Sequence, residues 1–237
     1  MRTLTGPILA ALLVISIASF TIESRTKERS WGDLNRQVSL LYHKGEYGKA
    51  AGVAEEALQV AGGTFDQDDH KFATSLNNLA LIYFQMGRYS EAKTLYGRAL
   101  RAWKKALGTQ HAYVAYCLNN LAGLYSAQGR YAEAVAMYKR ALTVLEKALG
   151  PNHPKVAGCL SGMARLYNAQ GRHAEALTLY ERSLKIREKA FGQNHPHVAA
   201  VLKNMAECRK SLAEKDEAKK FEARVISSGL IIKASYR

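Results

Sequence analysis

The chain has 237 residues, with 34 Lys and Arg against 20 Asp and Glu, a formal net charge of +14. Its 48% hydrophobic and 23% charged residues describe a chain that folds rather than a disordered one. Three cysteines exclude a disulfide-rich scaffold and a four-cysteine zinc ribbon. Charge is uneven: Trp31 to His70 carries 7 acids against 3 bases, a net −4, and Lys71 to Arg209 carries 20 bases against 7 acids, a net +13.

The chain begins with Arg2 and then an uncharged stretch from Thr3 to Ile22, apolar from Ile8 to Phe20. A basic start before roughly 7–15 apolar residues matches a secretory signal peptide, with small Ser16 and Ala18 offering a cleavage position after Ala18. The rival is an uncleaved membrane anchor, since an uncharged run of about 20 residues just spans a bilayer. Residues 1–22 are therefore expected to be a signal peptide or anchor, and 23–30 a linker. The protein is expected to be exported, periplasmic or secreted, or held at a membrane.

The rest of the chain repeats. GEYGKA from Gly45, GRYSEA from Gly87, GRYAEA from Gly129 and GRHAEA from Gly171 follow one another at 42 residues, and a degraded AEKDEA from Ala213 continues the series. A period of 20–50 residues signals stacked supersecondary units. Leu76, Leu79, Ala80 and Tyr83 share one face of a first helix, as do Ala92, Leu95, Tyr96, Ala99, Leu100 and Trp103 for a second. Gly87 suits the end of the first helix, and Pro151, Pro154 and Pro196 fall between units, where they break nothing. The expected fold is all-α: a right-handed solenoid of helix-turn-helix units over 31–226, about five repeats, the last degenerate and capping. The tail 227–237 is apolar around Leu230–Ile232 and is expected to pack over the last helix.

Leu79, Ala80, Tyr83, Gly87, Tyr89, Ala92, Tyr96 and Ala99 resemble the tetratricopeptide repeat pattern. The 42-residue length, LNNLA, the YxRAL-type turn and the LGxxHPxVA linker resemble its kinesin-light-chain-like subfamily. The first and last units depart from the pattern, with Val38 and Leu41, and Lys215 and Glu222, at its usual small, Tyr and aromatic positions. The resemblance implies a non-catalytic scaffold that binds a protein or peptide segment in a concave groove lined by first helices. On that implication the groove residues are Asn77, Asn78, Leu81, Phe84, Asn119, Asn120, Arg165, Lys203 and Asn204. Amides both donate and accept, so a ladder of asparagines can hold an extended backbone; the alternative is that the amides bridge adjacent first helices. Gly158 and Gly162 interrupt the ladder, opening a pocket or loosening that unit.

Positions used by carboxylate-clamping relatives hold Thr74, Tyr116, Gly158 and Ala200, so that clamp is incomplete. Arg36, Arg165 and Lys203 favour an acidic partner without defining one. Arg98, Arg101, Lys104, Lys105, Lys139, Arg140, Lys185 and Lys189 fall on second helices, and a basic outer face could contact anionic lipid or an acidic complex. Nucleic acid is the weakest candidate, with no groove-reading motif in sight. His111, His153 and His195 recur every 42 residues, about one helix diameter apart. That is too far to share a metal, so they are expected to cap helices or pin linkers. Cys117 and Cys159 are equally separated and read as buried apolar residues, as does Cys208. No GxSxG, HExxH or phosphate loop appears, so neither an enzyme nor a cofactor is expected, and the oligomeric state is left open.

Overall fold

The computed structural model describes residues 29–213 and 215–227; the N-terminal segment and the tail from 228 lie outside the described residues. Those residues form ten helices and no strand: α1 (Trp31–His43), α2 (Tyr47–Thr64), α3 (His70–Gln85), α4 (Tyr89–Leu107), α5 (Ala112–Ala127), α6 (Tyr131–Leu149), α7 (Pro154–Ala169), α8 (His173–Phe191), α9 (Pro196–Ser211) and α10 (Lys215–Ser227). Each helix packs on its neighbours in chain order. Among the described non-consecutive helices, only the first helices of successive units bring their backbones close, α1 with α3 through α7 with α9. Second helices keep their backbones apart and meet only through long side chains, as where Arg182 of α8 pairs with Glu146 of α6 and Arg224 of α10 with Glu188 of α8. First helices that adjoin and second helices that are spread apart bend the stack, so the odd-numbered helices form its inner, concave wall. The five units form an all-α solenoid.

The turn inside each unit follows from one glycine. Gly45, Gly87, Gly129 and Gly171 all have φ between +73° and +75°, a left-handed conformation in which a Cβ would be strained. In the second unit Gly87 N–H donates to the Phe84 carbonyl at 3.0 Å and Arg88 N–H to that of Tyr83 at 2.8 Å. This pair of bonds is a Schellman motif, which satisfies carbonyls that the helix end would leave open. The next residue closes the corner: Arg88, Arg130 and Arg172 lie 3.7, 4.4 and 4.1 Å over the rings of Tyr83, Tyr125 and Tyr167. Each also pairs with the glutamate three residues on, Glu91, Glu133 or Glu175. In the fifth unit Ala213 takes the glycine's place with φ +61°.

The junctions between units are equally regular. The side chains of Asp69, His111, His153 and His195 accept a hydrogen bond from the backbone N–H two residues on, at 2.6, 3.2, 3.1 and 3.1 Å. The histidines are thus helix N-caps, as their spacing suggests, and they spend ring Nδ1 on a donor left free by the first turn. In two cases Pro154 and Pro196 follow at the first helical position, where a missing N–H costs nothing.

The core is a continuous seam between helix layers. Ala80, Ala92, Tyr96 and Ala99 are fully buried and Leu79 is 4% exposed, so the residues that carry the repeat pattern are those that pack. Trp103 is buried, and its Nε1–H donates to the His70 carbonyl at 3.3 Å, tying α4 to the start of α3. Cys117, Cys159 and Cys208 are free and buried. Burial pushes the Cys159 thiol up to about 12 and the Cys208 thiol to about 11, so both stay protonated and unreactive.

Candidate partner-binding groove

Along the concave wall, amides join successive first helices. Asn78 Nδ2 donates to Asn35 Oδ1 at 2.9 Å, and Asn120 Nδ2 donates to Asn77 Oδ1 at 3.1 Å. A third rung runs beside the first, from Gln85 Nε2 to the Tyr42 hydroxyl at 2.8 Å. Each pair is 43 residues apart: the donor sits one residue past the register of its acceptor. That offset lets the two asparagines of an NN pair look in different directions, one back to the preceding helix and one on to the following helix.

The ladder stops at α7. Gly162 stands where Asn78 and Asn120 stand in earlier units, and the Oδ1 of Asn119 is left buried with no hydrogen-bond partner. The space is filled by an aromatic ring. A Cβ at Gly162 would lie 2.8 Å from Cε1 and 2.9 Å from the hydroxyl of Tyr138, which is 3% exposed. Ser161, at the register of Asn77 and Asn119, turns the other way and bonds Ser183 Oγ on α8 at 2.7 Å. Gly162 therefore admits the Tyr138 ring where a side chain would collide with it.

The residues named for the groove separate accordingly. Asn77 is only 1% exposed and engaged with Asn120, so it holds α3 to α5 from beneath the groove surface. Asn78 and Asn120 are half-buried; each has given one of its amide donors to a rung and keeps further capacity. Leu81 lines the groove with Asn78. Phe84 instead packs against Tyr89 at the turn into α4, with ring centroids 5.8 Å apart. Arg165 is exposed on α7 and has no carboxylate partner among the described residues. Lys203 lines a different cavity at the end of the stack, and Asn204 is half-buried on α9 beside it in sequence.

The concave wall of the first three units holds a cavity of about 270 Å³, lined among others by Asn35, Tyr42, His43, Asn78, Leu81 and Tyr116. Tyr42, His43 and Asn35 are the additions that sequence reasoning missed. The signal was in register: Tyr42 is one period before Phe84, Asn35 one before Asn77. Burial raises the phenols of Tyr42 and Tyr116, the former offset by the Gln85 hydrogen bond. Both remain neutral donors and acceptors at physiological pH. The cavity thus offers amides, hydroxyls and apolar carbon, with His43 its one basic group. No group of three or more His, Cys, Asp or Glu that could hold a metal occurs among the described residues.

On the opposite, convex side, Arg98, Arg101 and Lys105 of α4 border a hollow of about 320 Å³ floored by Phe72. Lys105 is paired with Asp68 across it. The other basic residues named for the outer face, Lys139, Arg140, Lys185 and Lys189, are exposed, and Lys104 is half-buried.

Comparison with known proteins agrees with this architecture. BtubC (BKLC) from P. vanneervenii is 23% identical with a TM-score of 0.70, over 85% of this chain and 80% of that one. A Podosopora anserina kinesin light chain with nearly identical TPR-like repeats is also 23% identical, TM-score 0.63, over 83% and 93%. A Rap protein complexed with competence and sporulation factor is 14% identical, TM-score 0.75, over 88% of this chain and 57% of that one. At these identities the likeness is one of fold. No curated protein matches the chain by sequence. The tetratricopeptide repeat family matches residues 71–147, 118–189 and 158–228, together most of the chain. Its length, its unit turn and its concave wall of first helices all agree with that match, and the chain belongs to the tetratricopeptide repeat family.

Proposed function

We propose that the protein is a non-catalytic scaffold that captures a segment of a partner protein along its concave groove, anchored in the cavity between α1, α3 and α5. The observation that carries this reading is that cavity: apolar carbon from Leu81 and Val38 framed by unspent amide and phenol capacity. An extended segment needs that mixture, apolar anchors for alternate side chains and donors and acceptors for its backbone. Binding energy would be concentrated in a few enclosed anchors.

The test follows from the rungs. Asn78 and Asn120 hold helices together, so their replacement confuses binding with stability. Tyr116, 39% exposed, and Leu81 line the groove without bridging helices. Cross-linking in cells followed by mass spectrometry would compare the wild type with Tyr116→Ala/Leu81→Ser, with circular dichroism confirming the fold. Loss of a partner in the variant supports groove capture; an unchanged set of partners refutes it.

A second reading is favoured by the convex hollow, where Arg98 and Arg101 have no carboxylate partner among the described residues. There the protein would sit against anionic lipid or an acidic complex. Exposed charge attraction is screened over about 10 Å at 0.1 M salt. Binding that collapses between low and moderate salt, and in Arg98→Glu/Arg101→Glu, supports this reading over the groove.

Export rests on the stretch Thr3–Ile22, which lies outside the described residues; no helix of the described residues is long and apolar enough to cross a membrane. Cell fractionation with an intact-mass measurement tests it. Mass lost up to Ala18 marks cleavage, full mass in the membrane fraction marks an anchor, and full mass in the cytosol refutes both.

A further inference from the structure

The convex side carries a ladder of its own, and the ladder is incomplete. One register position of α4, α6, α8 and α10 is always arginine: Arg98, Arg140, Arg182 and Arg224. The residues 36 positions earlier, on the preceding second helix, are Gly62, Lys104, Glu146 and Glu188. Where that residue is a glutamate, a rung forms. Arg182 Nη2 donates to Glu146 Oε1 at 2.5 Å, and Arg224 pairs with Glu188. Arg140 has another cation, Lys104, at its opposing position, and Arg98 has a glycine, with no side chain at all.

The hollow of about 320 Å³ lies beside that glycine. A Cβ at Gly62 would come 3.6 Å from Cε2 of Phe72, which floors the hollow, an ordinary contact distance. Phe72, Leu76 and Ala102 are buried beneath it. The guanidinium of Arg98 stands 5.9 Å from the centre of the Phe72 ring, and Arg101, three residues on, shares that face of α4. Among the charged groups that line the hollow, Lys105 is neutralised by Asp68, which leaves the two arginines. α2 brings no charge over residues 57–64. Asp66 and Asp69 share the loop with Asp68 without lining the hollow, and Asp69 caps α3.

Resting on the convex contact described above, we propose that this hollow binds an acidic side chain of a partner protein. The carboxylate, flanked in its own chain by an apolar residue, takes the place that Glu146 and Glu188 fill in later units. Guanidinium groups match the two oxygens of a carboxylate, and the Phe72 floor receives the apolar neighbour. The surroundings disfavour an anionic bilayer. A flat charged surface that reached Arg98 and Arg101 would also meet Asp66 and Asp68, both exposed on the adjoining loop, within the range over which charges act. A single side chain meets the hollow alone.

Gly62→Glu should close the hollow in cis, by giving Arg98 the carboxylate that Glu146 gives Arg182. Gly62→Gln adds the same bulk without the charge. The probe is the dipeptide N-acetyl-Glu-Leu-amide, titrated into the isotope-labelled full chain while the arginine side-chain N–H resonances are followed by NMR, with circular dichroism confirming each variant's fold. The Arg98 resonance should move about fivefold more than those of Arg182 and Arg224, which already hold a carboxylate. Gly62→Glu should reduce that response about fivefold, and Gly62→Gln should keep it within about twofold of the wild type. The Gln-Leu counterpart should move nothing. Equal movement of Arg98, Arg182 and Arg224 overturns the proposal, as does equal loss in the two Gly62 variants or no loss in either. Inorganic phosphate that moves Arg98 as far as the dipeptide does would make the hollow a general anion site and overturn the carboxylate assignment. Phosphatidylserine vesicles that bind wild type and Gly62→Glu alike, and fail only with Arg98→Glu/Arg101→Glu, would preserve the convex contact and refute the carboxylate pocket.

Discussion

Replacing Gly158 and Gly162 by alanine, one at a time, makes the same chemical change at two positions one turn apart on α7. In a helix interior alanine is favoured over glycine by about 0.8–1 kcal/mol. At Gly158 an added Cβ meets nothing within 4 Å, so most of that gain should appear. At Gly162 the Cβ would sit 2.8, 2.9 and 3.1 Å from three atoms of the Tyr138 ring. The ring is 3% exposed and faces Gly123 as well, where a Cβ would be 3.8 Å from its hydroxyl, so it has little room to withdraw. Overpacking of this kind costs about 1–3 kcal/mol, which outweighs the propensity gain. Gly158→Ala should raise the midpoint of thermal unfolding by about 1–4 °C. Gly162→Ala should lower it instead, by up to about 8 °C, at about 2–4 °C per kcal/mol for a domain of this size. Urea unfolding followed by circular dichroism gives the same comparison without heating. Repeating Gly162→Ala in a Tyr138→Leu background isolates the clash, because there the alanine should no longer destabilise. If Gly162→Ala stabilises as much as Gly158→Ala in the wild-type background, the account of the ladder's interruption is wrong.

Three further expectations are independent of that one. Ala213→Gly relieves a left-handed alanine, φ +61°, and should stabilise the last unit by about 1 kcal/mol, seen as slower hydrogen exchange in α9 and α10. Asn77→Ala should cost about 1–3 kcal/mol by orphaning Asn120, and a double-mutant cycle with Asn120→Ala should show coupling; Asn119→Ala, whose Oδ1 is already unpartnered, should cost less. A thiol reagent such as DTNB should label none of Cys117, Cys159 and Cys208 in the folded protein and all three after unfolding in urea; fast labelling under native conditions would contradict their burial.

Period, turn and cap were legible because repetition multiplies weak signals. One glycine before an arginine and a tyrosine says little, yet Gly45, Gly87, Gly129 and Gly171 at equal spacing define a turn, and His111, His153 and His195 define a cap. The concave wall was less legible. Asn77 and Asn78 are adjacent in sequence but about 100° apart around a helix, so they cannot share a surface, and a stripe drawn through both placed Asn77 on a face it does not occupy. The rungs join residues 43 apart, one off the period, an offset that emerges only when the helices are side by side. The role of Gly162 depends on Tyr138 reaching from the preceding second helix, a meeting that no local pattern contains. Phe84 and Tyr42 share a register, yet only Tyr42 has a hydroxyl for Gln85 to reach, and the cavity opens on its side.

The constant spacing of the turn glycines has a consequence for changes in copy number. Excising residues 88–129 would splice Gly87 directly to Arg130, which already follows a glycine of the same conformation, φ +73° at Gly129. The corner would survive the splice, with Arg130 still able to pair with Glu133. The seam behind it would not: α3 would now adjoin α7, and Asn77 would look across at Gly162 in place of Asn120. Whole units can thus enter or leave this array without inventing a bend, while each such event rewrites the side-chain pairing between the helices it brings together.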